Sequence, residues 1–262
     1  MNIYLFELEK QWKSVLLWTA SFVILMVALF AGVYPVFNNS LKDIIEVISK
    51  MPPEFTKAFA FDLNTMVDFG GFFEFSFAYL SLMGVIMSAS IGLSIFAREK
   101  KVKCIDFLLT KPISRNSIFI SKFLSGCTLL ILFNLVYIIV SCFYGIHFGK
   151  TMMEMLGASS MMFLTQFFFY TLGICMAIVM KRIRSVSNIA SLLGFVGFIL
   201  SAVYNILEIK EMRYLAPLKY FDPMQFFTST NDSIYMLTGI VVSILFLIVA
   251  YIRFIKEDVK AV

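Results

Sequence analysis

Residues 15–37 read VLLWTASFVILMVALFAGVYPVF, an apolar run without one charged side chain. A helix needs about 20 apolar residues to cross the hydrocarbon core of a bilayer, so this stretch alone predicts a membrane span. It is too long for the core of a signal peptide and lacks a clear small-residue cleavage site. We therefore interpret it as a retained span.

Further apolar runs of similar character follow along the chain. They are 72–97, 118–146, 155–180, 186–207 and 234–254. Backbone N–H and C=O groups surrounded by lipid need partners within their own segment, and these runs are too long for barrel strands, so we expect helices. The predicted fold class is all-α: a polytopic membrane protein with about six transmembrane helices in a single domain, residues 1–262.

The composition excludes an ordinary water-soluble protein. Hydrophobic residues make up 60% of the chain and charged residues 15%, whereas soluble domains have roughly 45 to 50% apolar and 25% charged residues. A soluble fold would have nowhere to bury this apolar excess.

The charges are distributed unequally between the two sides of the predicted spans. The segments on the side of the N-terminus hold 15 of the 22 Lys and Arg residues and have a net charge of +9, against −4 for the opposite segments. Lys and Arg are retained on the cytoplasmic side of membranes, so both termini are predicted to be cytoplasmic. No aromatic and basic binding module accompanies this charge, so nucleic acid is not an expected partner.

Residues 1–14 are predicted to form an interfacial helix that leads into the first span. Apolar side chains recur at helical spacing at Leu5, Leu8, Trp12, Val15 and Leu16. The other face carries Glu7, Glu9, Lys10 and Lys13. This pattern is typical of a helix at the membrane surface, and the alternative is a simple extension of the first span.

Two segments on the opposite side are longer than turns. In the extracellular segment 38–71, an amphipathic helix is predicted after Asn39 and Ser40, and a second short helix at Pro53, because proline suits the first helical turn. Residues 208–232 contain two prolines among aromatic residues and are predicted to form an irregular loop at the membrane interface.

The sequence indicates no catalytic, cofactor-binding or metal-binding residues. Residues 145–151, GIHFGKT, are one residue too short between the glycines for a phosphate-binding loop and follow a predicted span instead of a strand. His147 is the only histidine, so no catalytic triad or histidine-rich metal site can be assembled. Asn134, Gln166 and Asn205 are polar residues within or near the ends of spans and are interpreted as helix-helix contacts.

The span interiors also provide no visible energy source. Ion-driven transporters usually keep an ionisable residue at membrane depth, where it binds the coupling ion. Here Glu74 and Arg98 lie only at the ends of the second predicted span. If the chain moves a substrate uphill, a partner is expected to supply the work.

The cytoplasmic region 98–117 reads REKKVKCIDFLLTKPISRNS. Ile105, Leu108 and Leu109 are spaced to share one face of a short helix, which Pro112 prevents from continuing. Ser114 is then placed to cap the next membrane helix. The apolar face suits docking into a groove of another protein, and physical reasoning leaves a position on lipid headgroups equally open.

This region resembles the coupling region of the type 2 superfamily of ABC transporter permeases. The matching residues are Glu99, Ile105, Asp106, Leu108, Leu109, Pro112, Ile113, Ser114, Arg115 and Lys122. Lys103 and Cys104 stand where Gly-Thr is common, and Phe107 replaces a leucine. The run from Tyr214 to Asp222 also resembles a stretch that precedes the last span in bacterial members.

The resemblance implies a bacterial plasma-membrane permease subunit that exports a peptide, lipid or drug-like substrate. It implies two copies of a separate ABC ATPase, which bind ATP and Mg, and a second permease, identical or homologous. The implied contacts with the ATPase are Glu99, Ile105, Asp106, Phe107, Leu108, Leu109, Pro112, Ile113, Ser114 and Arg115. An ATPase-independent channel or a membrane scaffold is the alternative, and a membrane enzyme would need reactive groups that the sequence lacks.

Overall fold

The computed structural model describes residues 3–40, 44, 46–48, 50–61, 63–102, 114–228 and 233–256, with the backbone alone at 63–64 and 99–102. Within these ranges every regular element is a helix. Six helical stretches are long and apolar enough to cross a membrane. The all-α class with six spans is therefore confirmed.

The first candidate span, Ile3–Asn39, combines helix α1, a π-helical stretch and helix α2. The helices are α1 (Ile3–Val27), α2 (Tyr34–Asn39), α3 (Pro53–Ala58), α4 (Leu63–Met66), α5 (Phe69–Val102), α6 (Arg115–His147), α7 (Met152–Val179), α8 (Val186–Leu207) and α9 (Ser233–Lys256). The π-helical stretch is Ala28–Val33, and the 3-10 helices are Lys210–Leu215, Pro217–Lys219 and Pro223–Phe226. The predicted apolar runs lie inside the long helices, to within one residue at the end of α7.

Side-chain caps fix where several helices begin. Ser114 accepts a hydrogen bond from the Ser117 backbone N–H at 3.3 Å, so the predicted cap of α6 is present. Thr151 and Glu154 form a reciprocal capping box at the start of α7, with the Thr151 N–H donating to Glu154 Oε2 at 2.8 Å. The GIHFGKT sequence is thus the last turn of α6 followed by the cap of α7.

Helices α5 and α7 form the centre of the bundle. Their most apolar windows are 72% and 67% buried within the chain, against 17% for α8 and α9. Small residues let the two backbones approach closely: a Cβ at Gly173 would lie 2.7 Å from the Ala89 carbonyl oxygen. A Cβ at Gly92 would likewise overlap the Tyr170 carbonyl oxygen. Close crossings of this kind are typical of helix pairs in membranes, where dispersion contacts drive association.

We expect Gly92→Ala to destabilise the protein by about 1–3 kcal/mol, because the added methyl group meets backbone that cannot rotate away. Gly32→Ala is the matched control, since no atom from another helix lies within 4 Å of the Cβ position at Gly32. Thermal denaturation of the purified protein in detergent measures the difference. Equal melting temperatures for the two variants would show that the α5–α7 crossing is looser than described.

A polar pair joins α6 to α7 inside the bundle. Asn134 Nδ2 donates to Gln166 Oε1 at 2.6 Å, and both side chains are buried. The interpretation of these two residues as an interhelical contact is confirmed. Asn205 instead lines a cleft at the end of α8.

The helix ends opposite the N-terminus are tied together by short segments. The predicted helix at Pro53 is α3, with the Phe55 and Phe59 ring centroids 4.8 Å apart. Lys57 pairs with Glu208 at 2.8 Å, which links α3 to the end of α8. The helix predicted after Ser40 lies largely outside the described residues.

Residues 208–228 are more ordered than the irregular loop predicted for them. Three 3-10 helices occupy the segment. Arg213 is buried, donates to the Lys219 carbonyl at 3.0 Å and stacks on the Tyr235 ring of α9, with its guanidinium carbon 4.1 Å from the ring centroid. Phe221 is also buried and packs against Gly239. The segment therefore forms a fixed cap against α9.

Candidate coupling site at the basic end of the bundle

The basic end of the bundle is defined here as the start of α1, the end of α5, the start of α6, the α7–α8 connection and the end of α9. Of the predicted contact residues, Ile105, Asp106, Phe107, Leu108, Leu109, Pro112 and Ile113 lie outside the described residues. Glu99 is described by its backbone alone, in the last turns of α5. Ser114 and Arg115 are described, as are the two helices that flank the connection.

The start of α6 is attached to the end of α9. Arg115 Nη1 donates to the Ile255 carbonyl oxygen at 2.7 Å. This carbonyl lies in the last turn of α9, where backbone oxygens lack partners within the helix and favour a cation. The Tyr251 hydroxyl and Asn116 Oδ1 lie 3.1 Å apart and form a second link.

An aromatic cluster lies beneath these polar links and adds α5 to them. The Phe119 ring of α6 lies 5.3 Å from Phe96 of α5 and 5.3 Å from Tyr251 of α9, between centroids. Phe254 completes the cluster at 5.8 Å from Phe96 and 5.7 Å from Phe119. Aromatic pairs at these separations contribute beyond the area that they bury, so the three helix ends are held as one unit.

A buried ionic cluster adds the N-terminal helix. Glu7 of α1 accepts from Lys122 Nζ at 2.9 Å through Oε1 and from Arg98 Nη1 at 3.1 Å through Oε2. Lys122 also donates to the Ile95 carbonyl oxygen at 2.7 Å. The side chains of Lys122 and Glu7 are 0% and 2% exposed, and that of Arg98 is 33% exposed. One carboxylate thus joins α1, α5 and α6.

The same contact surface continues one turn further along α1. Gln11 Nε2 donates to Ser94 Oγ of α5 at 2.6 Å. The buried residues of α1 are Glu7, Gln11, Val15, Phe22 and Met26. Leu5, Trp12 and Leu16 point away from the rest of the chain. The face of α1 that packs against the rest of the chain is therefore polar at Glu7 and Gln11 and apolar from Val15 onward.

The helical pattern of residues 1–14 did not reveal this cluster. It grouped Glu7 with Glu9, Lys10 and Lys13, and only the last three are exposed. Lys122 entered only as a match to the family pattern, although it lies inside the predicted span 118–146. That position was the available signal, because a lysine four residues inside an apolar run must either reach back to the interface or find a buried partner.

The sequence profile of the family described as ABC-2 family transporter protein matches residues 1–259. The chain belongs to this family. It is accordingly a permease subunit of an ABC transporter, a multi-pass membrane component of transport and not itself the catalytic one. Comparison with curated proteins found no match.

The geometry of the permease suits mechanical coupling. The helices on both sides of the 103–113 connection are anchored. Arg98 of α5 and Lys122 of α6 both pair with Glu7, and Arg115 of α6 bonds to α9. A displacement applied to this connection would move α5 and α6 together instead of one helix alone.

No group of three or more His, Cys, Asp or Glu placed to hold a metal occurs in the described part of the chain.

Proposed function

We propose that this permease exports a peptide, lipid or drug-like substrate, driven by ATP hydrolysis on a separate ABC ATPase. The observation that supports the proposal is the anchoring of both helices that flank residues 103–113. The apolar face that the sequence predicts for Ile105, Leu108 and Leu109 would give a partner a surface to dock on. The anchored helix ends then deliver the movement of that partner to the bundle.

In the proposed mechanism, ATP-driven closure of the ATPases shifts the 98–117 region. Ile105, Phe107, Leu108 and Leu109 are the apolar anchors in a groove of the ATPase, and Asp106 adds a charged contact. Arg115 acts as a brace, since its guanidinium group bonds to the Ile255 carbonyl of α9. Glu99, Pro112, Ile113 and Ser114 complete the proposed contact region.

The movement then spreads through the centre of the bundle. Helix α5 crosses α7 at Gly92 and Gly173, where the backbones are in direct contact. Close-packed interiors transmit displacement because they are not easily compressed. A shift of the end of α5 therefore repositions α7, and this rearrangement opens the path for the substrate.

The proposed orientation places the basic end in the cytoplasm of a bacterium, with the permease in the plasma membrane. The positive-inside rule supports this orientation, since Lys and Arg are concentrated at the basic end. It puts both termini and the 98–117 region on the side where ATP is found. ATP and Mg are bound by the ATPase in this proposal, and the permease itself needs no cofactor.

The proposed assembly contains two ATPase copies and a second permease, identical or homologous. The outer helices leave apolar surface for such a neighbour and for lipid. The most apolar windows of the first span, α8 and α9 are only 22%, 17% and 17% buried within the chain. These faces need a bilayer or another membrane protein to cover them.

Affinity purification of the tagged permease from membranes that also contain its ATPase tests the proposal. We expect ATPase and permease in equal amounts, with ATP-dependent transport after reconstitution into vesicles. Transport by the reconstituted permease without any ATPase would instead indicate a channel. A permease that purifies without an ATPase and transports nothing would indicate a scaffold.

A further inference from the structure

A cavity of about 160 Å³ opens at the basic end, between the end of α5 and the α7–α8 connection. Its lining residues are Ser94, Ala97, Arg98, Ile183, Arg184 and Val186. A cavity needs only about 10–15 Å³ of such space to hold one water molecule, so this one has room for a larger polar group.

The charged side chains among the described lining residues of the cavity are both cations, Arg98 and Arg184. Arg98 pairs with the Glu7 carboxylate, which also accepts from Lys122. Arg98 presents five N–H donors in total, and its contact with Glu7 involves Nη1. Arg184 is exposed, and no carboxylate of the described residues lies within ion-pair distance of it.

The α7–α8 connection contributes no acid to the cavity. Between Glu154 and Glu208 the chain has neither Asp nor Glu, while the α7–α8 connection carries Lys181, Arg182 and Arg184. Helix α8 begins at Val186 in the cavity wall, so its positive dipole end faces the same space. An anion is the occupant that this field favours.

The position of the cavity decides the kind of anion. It lies where the candidate spans α5 and α7 end and α8 begins. The ends of membrane-spanning helices lie near the lipid headgroups. Its walls also include the apolar side chains of Ala97, Ile183 and Val186, which suit the glycerol and upper acyl region of a lipid. Basic pockets between membrane helices at this level are suited to phosphate-bearing headgroups.

We propose that this cavity binds the phosphate group of an acidic phospholipid, held between the Arg98 and Arg184 guanidinium groups. The bound phosphate joins the end of α5 to the α7–α8 connection. It also places Arg98 between two anions, the lipid phosphate and Glu7. Acidic lipid thereby stabilises the ionic cluster next to the 103–113 connection, whatever partner docks there.

Binding of a fluorescent phosphatidylglycerol to the purified permease in neutral detergent tests the proposal, with phosphatidylcholine as the neutral comparison. Arg184→Gln removes one of the two guanidinium groups that hold the phosphate. We expect it to weaken phosphatidylglycerol binding by about tenfold, the effect of losing one charge-assisted contact. Arg182→Gln is the matched control, because Arg182 is an exposed arginine of the same connection that does not line the cavity. It is expected to bind as the wild type does.

Several results would overturn the proposal. Equal losses for Arg184→Gln and Arg182→Gln would indicate general surface charge, and wild-type binding no stronger than that of phosphatidylcholine would indicate no site. Displacement of the lipid by millimolar inorganic phosphate would identify free phosphate as the ligand. The Arg184→Gln variant could also bind lipid as the wild type does but no longer co-purify with an ATPase. That result would show that the cavity contacts the ATPase and does not bind lipid.

Discussion

The substitution Glu7→Leu is expected to destabilise the permease by about 3–5 kcal/mol, the usual effect of breaking a buried ion pair. Glu7 is the only carboxylate of the described residues that contacts Lys122 and Arg98. Its removal leaves the fully buried Lys122 ammonium and the Arg98 guanidinium group side by side without the carboxylate that bridges them. Both cations then lose an attraction that helps to offset their transfer from water.

Two further variants separate this effect from general damage to α1. Glu9→Leu makes the same substitution at an exposed position two residues away and is expected to change stability by less than about 0.5 kcal/mol. The double variant Glu7→Leu/Lys122→Met removes both buried charges and is expected to be more stable than Glu7→Leu alone, because neutral replacement of a buried pair is often tolerated. Denaturant titration in mixed micelles gives the free energies of unfolding. A Glu7→Leu variant as stable as Glu9→Leu would contradict the cluster.

The substitution Leu108→Asp is expected to uncouple ATP hydrolysis from transport while membrane insertion stays intact. A carboxylate in place of the proposed apolar anchor would have to be desolvated in the ATPase groove, which is unfavourable without a partner. Central anchors of an interface contribute about 2 kcal/mol or more, so we expect ATP-driven transport to fall by at least about tenfold.

Thr110→Asp is the matched control for this variant. In a helix through this segment, Thr110 would lie on the side away from Leu108, so the same charge is expected to leave transport close to the wild-type rate. The two variants are compared by transport and ATP hydrolysis in the same reconstituted vesicles. Normal coupling in Leu108→Asp, or equal loss in both variants, would count against the proposed anchor face.

The spans and their caps could be predicted from the sequence because each depends on local information. Bilayer thickness sets the length of an apolar run such as 186–207, which α8 reproduces residue for residue. A serine after a proline-containing break, such as Ser114, marks a helix start by its own chemistry. Neither inference requires knowledge of which helices are neighbours.

The ionic cluster could not be predicted in the same way. Periodicity shows which residues of α1 share a face, but not which helix that face meets. In a membrane protein the apolar face can point away from the rest of the chain, as Leu5, Trp12 and Leu16 do, while Glu7 points inward. The pairing of Glu7 with Lys122 joins residues 115 positions apart, so only the tertiary structure reveals it.

The closeness of α5 and α7 was also hidden in the sequence. Glycines occur at many positions along the apolar runs, and Gly32 shows that one of them can face open space. Only the packing of the helices distinguishes Gly92 and Gly173, whose missing side chains bring two backbones together. The fold class thus follows from local physics, whereas the candidate site depends on contacts between distant segments.

Site-specific photo-crosslinking tests most directly whether the 98–117 region is the docking element for an ATPase. One variant of the permease carries a photoreactive amino acid at position 108. A separate control variant carries it at position 55, an exposed residue of α3 at the opposite end of the bundle. In membranes that contain both subunits, we predict a covalent adduct with the ATPase from position 108 and none from position 55. Adducts with phospholipid alone at position 108, or an ATPase adduct from position 55, would contradict the account.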